Sequence, residues 1–125
     1  MDRIDIHIEV PRVAYDKLTD QRLGESSETI RARVEAARER QRERFAGSDL
    51  ACNADMRPAD VRKYCKLDDA GSALLKTAMA QLQLSARAFH RVLKLSRTIA
   101  DLARAETIQP AHVAEAIQYR PRRQN

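Results

Sequence analysis

Tryptophan is absent from this 125-residue chain, and only two Phe and three Tyr are present. A core must therefore come mainly from Leu, Ile, Val and Ala. Glycine and proline are almost as scarce, at three and four residues. With Ala, Arg, Glu and Leu abundant, that is the usage of long helices. The three glycines, Gly24, Gly47 and Gly71, stand far apart, and no GxxxxGK stretch occurs. A self-contained phosphate-cradling loop is excluded. Cysteine is limited to Cys52 and Cys65, thirteen positions apart and without His or Cys at ligand spacing. A zinc site needs about four such ligands, usually in close pairs, so the two read as reduced structural thiols and no metal is expected. No run of 18 apolar residues occurs and the N-terminus lacks a signal peptide's apolar segment, so no membrane partner and a cytoplasmic location are expected.

What is there is charge and helical periodicity. Lys and Arg number 23 against 18 Asp and Glu, a net +5 that permits a nucleic-acid or nucleotide partner without requiring one. The length suits one modest core. At the start, Ile4, Ile6, Ile8 and Val10 alternate with Asp5, His7 and Glu9 until Pro11, a period of two that predicts a strand with one apolar face. Nothing later offers it a partner strand, so it stands as an orphan. A short helix or turn around Val13 to Leu18 and a polar loop follow.

Ser26 or Ser27 is placed to cap a long helix over Glu28 to Ala46. Its apolar seam is thin: Ile30, Val34, Ala37 and Phe45, with Gln41 between. The rest is a charge lattice, with six Arg against four Glu between Glu28 and Arg44. After a loop, Pro58 opens a short helix, PADVRKYC, where its missing N–H costs nothing. Asp68 or Asp69 caps a helix whose apolar face is Leu74, Leu75, Ala78, Met79 and Leu82. Ser85 caps another, ARAFHRVLKLSRTIADLARA, with Phe89, Val92, Leu93, Ser96, Ile99, Ala100 and Ala103 on one face. A last helix starts at Pro110 and carries Val113, Ala114 and Ile117, although Gln109 before it is a weak cap. The expected fold class is all-α: a bundle of about four helices, preceded by the long charged helix and the orphan strand. The tail after Arg120 is basic and polar.

Ser, His and Asp are present, but no order or spacing matches a nucleophile elbow, which argues against an independent hydrolase. The helix from Ser85 is the more informative stretch. Arg87, Arg91 and Lys94 fall at i, i+4 and i+7, with Arg97 flanking, opposite the apolar face. That pattern describes either a solvated basic face or an anion-reading helix that could contact DNA. Arg87 in the first turn stands beside open backbone N–H groups that suit a phosphate. His90, at the boundary between faces, reads as a packing residue.

Taken together, DRIDIHIEVPR, GESSETIRARVEAARERQRERF, LSARAFHRVLKLSRTIADLA and IQPAHVAEAIQYR strongly resemble, in order and from Asp2 to about Arg120, the C-terminal part of Mg-chelatase-like AAA+ ATPases of the competence protein ComM type. The resemblance implies that residues 1–25 are the end of an AAA+ core, 26–57 the long charged helix and loop, 58–120 a helical lid domain and 121–125 a basic tail. It implies that Arg3, in the DRID motif, is an arginine finger reaching a neighbour's ATP site, and that Arg87, in SAR, is the sensor-2 residue contacting the γ-phosphate. It further implies a homo-hexamer using ATP and Mg2+ and acting on DNA, for instance by branch migration in recombination or natural transformation. Walker A, Walker B and the first sensor lie upstream in that family and are not in this sequence. This chain alone is therefore expected neither to bind the cofactors nor to hydrolyse ATP. Three other readings remain at this point: a free-standing helical DNA-binding module, an ATPase subunit acting in metal insertion, and a purely structural oligomerisation bundle.

Overall fold

A computed structural model describes residues 6–8 and 26–119, and these contain five α-helices and no strand. The helices are α1 (Ser27–Arg44), α2 (Pro58–Tyr64), α3 (Asp69–Leu82), α4 (Ala86–Leu102) and α5 (Pro110–Gln118), with a 3-10 turn at Asn53–Asp55 between α1 and α2. The all-α expectation is met. The strand expected over Ile4 to Val10 lies mostly outside the described residues. The three described residues, Ile6 to Ile8, are irregular, and the His7 N–H donates to the Tyr119 carbonyl at 2.7 Å. The helix or turn expected near Val13 to Leu18 and the tail after Arg120 also lie outside.

The helix starts follow from local chemistry. Ser26 Oγ accepts from the Thr29 N–H at 3.1 Å, Asp68 Oδ1 from Gly71 at 2.7 Å, and Ser85 Oγ from Ala88 at 3.1 Å. Each satisfies a donor that the first helical turn leaves open. Pro58 and Pro110 occupy first positions, as their missing N–H allows. The weak cap at Gln109 is compensated in reverse: His112 Nδ1, one turn into α5, accepts the Gln109 N–H at 2.9 Å. After α3, Gln83 adopts a left-handed conformation at φ 52°, ending the helix without a glycine.

Helix α4 is the hub, packing against α1, α2, α5 and the 3-10 turn, while α3 packs on α5. Val92, Leu93, Ile99 and Ala100 of α4 meet Val113 and Ala116 of α5, Val61 and Cys65 at α2, and Leu75 of α3, all buried. An isolated parallel bridge between Leu67 and Ile108 joins the segments entering α3 and α5. Phe45, at the end of α1, sets its ring edge-on to Tyr64, with centroids 5.3 Å apart. The seam expected on α1 divides in two. Ala37, Gln41 and Phe45 are buried, whereas Ile30 and Val34 are 42% and 36% exposed.

Candidate functional site

Arg87 is the second residue of α4 and is exposed, with no hydrogen bond or ion pair of its side chain among the described residues. Ser85 occupies only the Ala88 N–H, so the first N–H groups of α4 stay open beside the guanidinium. Peptide dipoles give that end a partial positive charge, and an always-charged planar fork adds to it. The pair suits an anion with several acceptor oxygens.

The other cations of this helix do not form an open row with it. Arg91 is half-buried and engaged. Lys94 is half-buried and donates from Nζ to the Ala54 carbonyl at 3.3 Å. Arg97 corrects the expectation of a surface cation, being only 4% exposed. It donates to the carbonyls of Ala105 at 2.8 Å and Glu106 at 3.0 Å and pairs with Asp101 at 3.1 Å. Its position, four residues before Asp101, turns it into the bundle, and burial pulls its pKa below the ordinary arginine value. His90 is half-buried with its ring against Phe89, as a packing residue would be. Arg3 lies outside the described residues.

A second arrangement, which the sequence did not announce, surrounds Asp101. Its side chain is fully buried and accepts both arms of the Arg44 guanidinium, at 2.6 and 2.9 Å. Asn53 Nδ2 donates to Asp101 at 2.9 Å and to Thr98 at 3.0 Å, and Asn53 Oδ1 accepts from Arg44 at 3.1 Å. Gln41 Oε1 accepts the Asn53 N–H at 2.9 Å. One carboxylate thus joins α1, the 3-10 turn and α4, with two guanidiniums around it. Nearby Cys65 is a buried thiol, pushed up to about 11 mainly by loss of solvent.

Two further features bound the chemistry. An open groove lined by Glu28, Thr29, Ala32, Arg33, Leu102, Ala103 and Arg104 lies at the far end of α4. Fifteen residues of helical rise separate Leu102 from Arg87, roughly 22 Å, so groove and basic helix start are distinct places. Among the described residues no group of three or more His, Cys, Asp or Glu could hold a metal ion, and no helix is long and apolar enough to cross a membrane.

Residues 24–120 match the family described as "Magnesium chelatase, subunit ChlI C-terminal". The chain belongs to that family. This magnesium chelatase C-terminal region is 43% identical over 122 residues to competence protein ComM of Haemophilus influenzae and 38% identical over 121 residues to uncharacterized protein YifB of Escherichia coli. A further relative, an uncharacterized protein of Mycobacterium bovis, is 28% identical over 120 residues. Each match takes in 96% of this chain and 23 or 24% of the relative. The chain therefore spans less than a quarter of the length of the curated relatives it matches. The matched stretch contains all five helices, so the Asp101 cluster and Arg87 both fall inside the magnesium chelatase C-terminal region.

Sequence reasoning picked out Arg87 from its place in the first turn but missed Arg44, Asn53 and Asp101. The available signal was the i,i+4 spacing of Arg97 and Asp101. It lies on the flank of the apolar stripe, where a charged pair ordinarily faces water.

Proposed function

We propose that this region is the helical lid of a ComM-type ATPase and that Arg87 contacts the terminal phosphate of bound ATP. The observation that supports the reading most is the exposed, uncommitted Arg87 beside open N–H groups at the start of the best-packed helix. A rigid helix fixes where the Arg87 backbone stands and so the region its guanidinium reaches. A fork that never deprotonates neutralises phosphoryl charge without a proton equilibrium.

Arg87 and the α4 N-terminus suit a phosphate, but the described residues include no group suited to hold Mg2+. The reading therefore places the metal and the main phosphate cradle in a preceding ATPase core, with Arg3 reaching a neighbouring subunit of a hexamer. Bound ATP would supply the phosphoryl group, and its transfer to water would be coupled to lid movement. This chain's part is to bind and orient that group through Arg87. DNA remodelling of the branch-migration kind is the work we assign to the assembled protein, on the resemblance to ComM-type ATPases. A free-standing DNA-binding helix fits less well, because α4 offers one exposed cation, Arg87, rather than a row.

The test is Arg87→Ala in an intact ComM-type ATPase carrying this region. The expected result is a fall in ATP turnover of at least about tenfold, with the hexamer intact by native mass spectrometry. Near-normal turnover in assembled hexamers would remove the assignment.

A further inference from the structure

The Asp101 cluster has an unusual charge balance: one fully buried carboxylate between two guanidiniums, one of them on α1 and the other on α4 itself. Arg97 already gives Asp101 a cationic partner within its own helix, and its two hydrogen bonds to the 105–106 carbonyls hold it there without help from α1. Arg44 is therefore surplus to the neutrality of the bundle. Its contribution is a two-pronged contact whose fixed fork geometry sets an angle between helices as well as a distance. Asn53 closes the arrangement by bonding Arg44, Asp101 and Thr98 at once, and Gln41 on α1 takes the Asn53 N–H. Beyond this clamp, α1 runs on from Glu35 back to Ser27 with every residue exposed. Asp101 lies on the same helix as Arg87, fourteen residues and roughly 21 Å away.

We propose that Arg44 is a positioning residue: its bidentate contact with Asp101 locks α1 to α4 as one rigid body, so that a change of contact at Arg87 is delivered to the projecting half of α1. The functional part of this inference rests on the nucleotide reading of Arg87; the mechanical part does not. Arg44→Met keeps an apolar stem in a largely buried place and leaves the Arg97–Asp101 pair balanced, so the bundle keeps its fold while α1, left with Gln41 on the Asn53 N–H and Arg40 donating to the Arg104 carbonyl at 3.2 Å, holds its angle less tightly. Arg44→Lys retains the charge without the fork and is the intermediate variant.

Two measurements test it. In the 125-residue chain, spin labels at Glu35→Cys and Ala86→Cys, with Cys52→Ser and Cys65→Ala, should give one narrow distance. Arg44→Met should broaden or shift it and Arg44→Lys should do so less, with helical content retained. An unchanged narrow distance in both variants overturns the clamp, and so does a broad one in the parent. Loss of the fold in Arg44→Met leaves Arg44→Lys to decide on the same criterion. In an intact ATPase, Arg44→Met should keep affinity for a fluorescent ATP analogue within twofold while turnover falls at least fivefold, with partial rescue by Arg44→Lys. Turnover unchanged, or affinity and turnover falling together, overturns the transmission role. If Arg87→Ala retains turnover, the nucleotide reading fails and the distance measurement still judges the clamp.

Discussion

Helices α1 and α4 are nearly equal in length, at 18 and 17 residues, and they pack on each other, yet they are held in different ways. Helix α4 buries a continuous stripe from Ala88 through Val92, Leu93, Ile99 and Ala100, and its capped start is fixed by that burial. Helix α1 buries only Ala37 and Gln41, with Phe45 at its end. Non-directional apolar packing tolerates small rearrangements, whereas a buried ionic contact is favourable only at one geometry and costly when a partner is missing. The charge-rich helix thus obtains a defined orientation from a few polar atoms, and the apolar helix obtains stability from area.

That contrast can be broken most severely at Asp101. Asp101→Ala leaves Arg44 and Arg97 facing each other without a counter-charge, and a loss of about 3–5 kcal/mol in urea unfolding is expected. Leu93→Ala, on the apolar side of the same helix, should cost about 3 kcal/mol by removal of packed volume. Next is a pH effect at Cys65. Its thiol is raised from an ordinary value near 9 to about 11, so the neutral form is favoured by folding. Between those values the unfolded chain releases a proton that the native state keeps. Stability should therefore be complete below pH 9 and fall as pH rises toward 11, by an amount on the order of 2 kcal/mol. Cys65→Ala should flatten that part of the stability–pH curve. Ser85→Ala should cost about 1 kcal/mol through loss of the α4 cap. The smallest effect belongs to the projecting half of α1: Ile30→Ser should change global stability by less than about 0.5 kcal/mol. A large loss there would show that both halves of α1 are held by burial after all.

The parts of the fold legible in the sequence are those governed by neighbours in the chain. Ser26, Asp68 and Ser85 as caps, and Pro58 and Pro110 as first helical residues, depend on contacts within one turn. The α4 stripe was legible because 3.6-residue periodicity is also local. Ala103 left that stripe because the helix ends at Leu102, and Leu74 and Leu82 are 36% and 38% exposed where, among the described residues, α3 has no neighbour over them. The clamp was not legible, since Arg44 and Asp101 are 57 residues apart and nothing local distinguishes Arg44 from the other arginines of α1. Arg97 misled for a related reason. Its basic side chain reads as solvated until the carbonyls of Ala105 and Glu106 fold back over it. At the candidate site, first-turn position placed Arg87 beside an open helix start, which is itself a local feature, whereas its nucleotide-contacting role came only from the family resemblance.

The 57-residue separation between Arg44 and Asp101 also orders events in time. Helices α3 to α5 are joined by short connections, so their contacts close small loops and can form early. Docking of α1 must close a much longer loop and strip water from two guanidiniums and a carboxylate before the clamp returns any energy. Arg44 should then have a folding φ-value near zero, and its loss should speed unfolding rather than slow folding. The helix that the proposed clamp orients is in this view the last to arrive and the first to leave.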